Sequence, residues 1–121
     1  MILAVLDDLL FTSKIRATAA HLGVSVTFAR SATAALDAMR ANAPALVILD
    51  LNNPRIDPLG TIATMNADPV LAHIPTVGFV SHVQADVIEA ARRAGVGEVM
   101  ARSAFAARLP DILLRRSSSE A

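Results

Sequence analysis

Cysteine is absent from this chain, and so are tryptophan and tyrosine. Without thiols there is no disulfide framework and no thiolate metal site. Four phenylalanines are the only aromatic residues, so the interior must be mainly aliphatic. An excess of charge of either sign is also missing, because 11 basic and 11 acidic residues cancel. No basic stripe argues for direct binding of nucleic acid or of an anionic membrane. Lysine is nearly absent: Lys14 stands alone and every other basic residue is arginine. Long apolar runs are lacking as well. The longest uncharged stretch, Pro69 to Ala85, is interrupted by Pro, His, Ser, Thr and Gln, which excludes a spanning helix. The opening "MILAVLDD" has no basic leader and turns acidic too soon for a signal peptide. A cytoplasmic domain is the expectation, and 121 residues are enough for one domain with a proper core.

Short β-type runs alternate with longer helical patterns. The strand candidates are Ile2–Leu6, Val24–Phe28, Ala45–Leu49, Thr76–Val80 and Glu98–Ala101. Between them apolar residues recur at helical spacing: Phe11, Ile15, Ala19 and Leu22 in the first segment, Leu36 and Met39 in the second, Val87, Ile88 and Ala91 in the fourth. Gly23 and Gly95 stand where a left-handed cap would close two of these helices. The third helix, Leu59–Asn66, looks short, and Pro110 is expected to kink or restart the fifth. Five strands separated by helices of about a dozen residues predict βαβ units and a parallel sheet. Right-handed crossovers make this a (βα)5 doubly wound α/β domain of strand order 2-1-3-4-5. We place the domain at residues 1–116, with residues 117–121 as a polar C-terminal tail.

In such a sheet, ligands gather where the carboxyl ends of the strands emerge. Strand one delivers Asp7 and Asp8 there, strand three Asp50, strand four Ser81 then His82, and strand five Arg102 then Ser103. Clustered carboxylates repel one another in a partly dry pocket, so a positive partner is needed. A hard divalent cation such as Mg2+ suits that oxygen set better than the protein cations on offer. The plainer readings are a solvated loop for Asp7–Asp8 and a helix cap or turn carboxylate for Asp50.

Four segments, in order and at the right spacing, resemble the receiver domain of two-component response regulators. "ILAVLDD" resembles that family's first strand with its acidic pair, and "LVILDLNNPRIDPLG" its phosphoacceptor strand and following loop. "NADPVLAHIPTVGFVS" resembles the approach to its hydroxyl residue, and "AARRAGVGEVMARSAF" its fourth helix, glycine and fifth strand. The resemblance runs from Ile2 to about Leu114 and implies a flavodoxin-like fold. It implies that Asp50 takes a phosphoryl group from a histidine kinase, a phosphotransfer protein or a small phosphodonor. It further implies that Asp7, Asp8, Asp50 and the Asn52 carbonyl hold Mg2+, and that Ser81 bonds a phosphoryl oxygen. A downstream protein or output domain would dock on the face of the fourth helix, fifth strand and fifth helix, the face through which members of the family can also pair as weak homodimers.

Departures from the family pattern accompany the match. Arg102 stands in place of a lysine, with a planar fork and longer reach; it would either bond the phosphoryl group or lock onto Asp50 beforehand. Ser103 replaces a proline that the family holds in a cis bond; a cis peptide before serine would cost roughly 2.5–4 kcal/mol, so a changed loop is expected. Val99 replaces the switch aromatic, and His82 replaces a small residue. Two readings follow: a phosphoacceptor switch, not an enzyme beyond its own phosphorylation and dephosphorylation, or an interaction module that signals without phosphate, with Arg102 as an internal counter-ion. Other classes fare worse. A haloacid-dehalogenase-type phosphatase wants a second aspartate where Asn52 stands, and a flavin or nucleotide site wants a phosphate loop where "DDLLFTS" presents carboxylates. His21 and His73 read as surface residues.

Overall fold

The computed structural model describes residues 1–81 and 84–120, with side chains through Arg115. Strands and helices alternate: β1 Ile2–Val5, α1 Leu9–Leu22, β2 Val26–Ala29, α2 Ala32–Ala41, β3 Leu46–Asp50, α3 Pro58–Ala67, β4 Thr76–Val80, α4 Ala85–Ala94, β5 Glu98–Ala101 and α5 Arg102–Glu120. All strands are parallel, in the order β2-β1-β3-β4-β5. Every residue of β1, β3 and β4 is buried, as expected for central strands covered on both faces.

Alternate residues of each strand feed two apolar layers. Leu3, Val5, Val47, Leu49 and Val80 pack under α2, α3 and α4, against Ala35, Met39, Ile62, Met65 and Ala91. Ile2, Ala4, Leu46, Ile48, Val77 and Phe79 face α1 and α5, against Phe11, Ile15, Phe105, Leu109 and Leu113. Three of the four phenylalanines meet in this second layer. Phe11 lies edge-on to Phe79 at 5.1 Å, and Phe79 stacks on Phe105 at 5.1 Å.

The elements depart from the sequence-based bounds in instructive ways. β2 begins at Val26 because Gly23, at φ 71°, caps α1 and the N–H of Val24 still bonds back to the Ala19 carbonyl. Gly95, at φ 104°, closes α4 in the same manner. α3 is longer than expected, starting at Pro58, because proline is tolerated in a first turn where its missing N–H has no helical partner. Pro110 does not restart α5: the helix runs through it, with the ring on the exposed side. β5 passes into α5 without any intervening loop, so Arg102 opens the helix.

Candidate functional site

Asp50 is the last residue of β3, in register with Phe79 of β4, and is 7% exposed. Its Oδ1 accepts the Asn52 N–H at 3.1 Å. Its Oδ2 has no hydrogen bond or ion pair among the described residues, which sets it apart from the oxygens of Asp7 and Asp8. Burial holds the Asp50 carboxyl above its ordinary value, and the Asp7 and Asp8 charges add to that. The Asn52 N–H and the Arg102 charge pull the other way without prevailing.

Asp8 has two engagements. Oδ1 caps α1 by accepting the Phe11 N–H at 3.0 Å, and Oδ2 accepts from Arg102 Nη2 at 2.8 Å. The capping N–H foremost, then the guanidinium, holds this carboxyl below its ordinary value. The guanidinium of Arg102 also lies over the Phe11 ring, 4.1 Å from its centre. Of the two fates open to Arg102, then, a direct lock on Asp50 is not the one observed: its bond goes to Asp8, and it reaches Asp50 only through its field. No peptide among the described residues is cis, so Ser103 follows Arg102 by a trans bond.

Asp7 accepts from Asn53 Nδ2 and lies 3.5 Å from the exposed guanidinium of Arg55. Asn53 Oδ1 in turn accepts the Arg55 N–H at 3.0 Å, opening a single 3-10 turn at Pro54–Ile56. Asn52 binds β3 to β4: its N–H serves Asp50 and its Oδ1 accepts the Ser81 N–H.

Asp7, Asp8, Asp50, Asn52, Ser81 and Arg102 thus line one open cavity of about 440 Å³, together with Asn53 and Arg55. All six residues singled out in the sequence come together; His82 lies outside the described residues. Three participants escaped sequence reasoning. Asn53 and Arg55 sit in the turn-forming "NNPRI", where only the first asparagine drew notice. Phe11 reads as a core residue and is one, yet its ring also supports the arginine. His21 and His73 are exposed, as anticipated.

The donor set suits a hard divalent cation in kind, with carboxylate oxygens on neighbouring strand ends and Asn52 lining the same cavity. Among the described residues no three acidic or imidazole side chains are gathered closely enough to hold one ion as they stand. Asp8 has turned to Arg102, and Asp7 to Asn53 and Arg55.

Such a sheet, with acidic groups at the ends of its first and third strands and a hydroxyl at the fourth, defines a flavodoxin-like signalling module. The model of the response regulator receiver domain matches residues 2–113, and the chain belongs to that family: it is a receiver domain of a two-component response regulator. Solved structures agree. The phosphorylated cyanobacterial phytochrome response regulator RcpA is 27% identical, with 99% of this chain and 94% of that one covered and a TM-score of 0.80. The receiver domain of NtrX from Brucella abortus is 24% identical over 98% of this chain and 99% of that one, TM-score 0.80. The chemotaxis protein CheY4 of Vibrio cholerae shares the fold at 17% identity, TM-score 0.81, covering 94% of this chain and 95% of that one. No curated protein matches the sequence. Among the described residues no helix is long and apolar enough to cross a membrane.

Proposed function

We propose that this domain is a cytoplasmic phosphoacceptor switch, with Asp50 as the residue that takes the phosphoryl group. The observation that carries this reading is Asp50 Oδ2, a carboxylate oxygen unengaged among the described residues, at the end of a central strand and in a cavity shared with Ser81 and Arg102. In the transfer, Oδ2 forms a bond to phosphorus as the bond from phosphorus to the donor's nitrogen or oxygen breaks, and the electron pair leaves with the donor. The phosphoryl group is then an acyl phosphate on Asp50. Asn52 N–H keeps Oδ1 in place and thereby orients Oδ2. The Ser81 hydroxyl, on the rim of the cavity, is placed to donate to a phosphoryl oxygen, and Arg102 adds positive charge. Mg2+, held by Asp7, Asp8, Asp50 and the Asn52 carbonyl, would neutralise the phosphoryl oxygens when bound.

A histidine kinase or phosphotransfer protein is the donor that this reading requires. Leu9 and Leu10, 66% and 85% exposed on the first turn of α1 beside Asp8, offer it apolar ground. The face of α4, β5 and α5 is the docking side for an output domain, a separate protein or a second copy. RcpA, described as phosphorylated and 27% identical, lends weight to the chemistry.

One observation favours a second reading, an interaction module that works without phosphate: the Arg102–Asp8 pair already supplies the site with a cation. Incubation with acetyl phosphate and Mg2+ separates the two. The first reading expects a mass gain of one phosphoryl group that disappears in Asp50→Asn. No gain, under conditions where a control receiver responds, leaves the second.

A further inference from the structure

Asp8 has two oxygens, and the fold uses both. Oδ1 is fixed by the Phe11 N–H, which also makes it the cap of a fourteen-residue helix. Oδ2 is fixed by Arg102 at 2.8 Å. The same Phe11 holds both partners, Asp8 through its backbone and Arg102 through its ring at 4.1 Å. Phe11 is itself anchored on Phe79 and Phe105, and Arg102 opens α5 directly after β5. Little slack therefore remains in the guanidinium's position. A third party that takes an Asp8 oxygen finds it already bonded and competes there with the arginine or with the helix cap.

From this we infer that Arg102 is a resident counter-ion, competing with a divalent cation for Asp8 and setting the affinity of the cavity for that ion. The inference rests on the reading of Asp7, Asp8 and Asp50 as a cation site. It gives Arg102 a positioning role at Asp8 that lysine could fill only in part. An ammonium group lacks the flat face that stacks on Phe11 and the fork that reaches past the ring. Arg55 provides an internal contrast. It carries the same charge near the same cavity, but stands 3.5 Å from Asp7 on a side chain that is 82% exposed. Water and salt screen such a pair, whereas the Arg102–Asp8 pair is about two-thirds covered on both sides.

The test is calorimetric titration of the full chain with Mg2+ alone, comparing wild type, Arg102→Gln, Arg102→Lys and Arg55→Gln. Mn2+ titration by electron paramagnetic resonance serves as a second measure. Competition predicts that R102Q tightens binding about five- to tenfold and R55Q less than about twofold, with R102K between them. Unchanged or weaker binding in R102Q overturns the inference, and so does an equal gain in R55Q, which would mark a general field effect. Both of those outcomes leave the cation site itself intact. Absence of binding in all four proteins overturns the inference and the cation site together. Wild type alone offers an independent check that needs no variant. The Nε–H resonance of Arg102, shielded by the Phe11 ring, should move toward an ordinary arginine position as Mg2+ saturates; a resonance that stays put at saturation overturns displacement.

Discussion

Asp50 combines burial, a single backbone donor and two acidic neighbours, and the balance leaves its charged form disfavoured. Because its carboxyl is held above the ordinary value in the folded state, the native protein binds a proton more readily than the unfolded chain. Stability therefore declines as pH rises from the ordinary carboxylate value through the raised one, and the cost is complete above it. Asp50→Asn keeps the shape and the acceptor for the Asn52 N–H while removing the charge. We expect it to raise the melting temperature at neutral pH by about 2–6 °C, with the gain shrinking as the buffer is acidified through that window. A melting curve series from acid to neutral pH checks this; a gap that is constant or widens on acidification contradicts it. Asp8 has the opposite sign. Its lowered value makes it a stabilising carboxylate at neutral pH, with a contribution lost as pH falls through that lowered value. Two aspartates in one cavity are thus tuned apart, one tied down and one left ready.

Among the elements, α5 departs furthest from its sequence pattern. Pro110 supplies no N–H to the turn before it, and a ring in a helix interior crowds the preceding carbonyl, yet the helix continues. Its buried residues Phe105, Leu109, Ile112 and Leu113 lie on one side, with Pro110 exposed on the other, so packing on the sheet outweighs the local cost. Pro110→Ala should stabilise the domain by about 1–3 kcal/mol in urea unfolding; a neutral or destabilising result would mean that the packed surface is shaped to the proline. Here lies much of what sequence could and could not reveal. Strand order and the convergence of Asp7, Asp8, Asp50, Ser81 and Arg102 were legible because period and order decide them, whereas Asn52 was named only through the family resemblance. The start of β2 was not legible, since Val24 belongs by hydrogen bonding to the cap of α1. The partner of Arg102 was not either. That depends on β5 meeting α5 with no loop between and on a phenylalanine one helical turn past Asp8, neither of which a linear pattern weighs.

At the scale of the whole molecule, the sheet is clamped by two unequal layers, and the α1–α5 side contains the aromatic trio. Phe105 is fully buried and stacked on Phe79, within 5.9 Å of Phe11. It joins the last helix to the central strands and, through Phe11, to the first helix. Phe105→Ala should cost about 3–5 kcal/mol, a large share of the roughly 5–15 kcal/mol that holds a domain of this size together. Urea unfolding measures it directly. A loss below about 1 kcal/mol would show that α5 docks without this contact.

A carboxylate divided between two owners has a structural outcome of its own. One oxygen of Asp8 fastens the start of α1 and the other the start of α5, across 94 positions of chain. Whatever draws that side chain away loosens a tie that α1 and α5 hold in common at the mouth of the sheet.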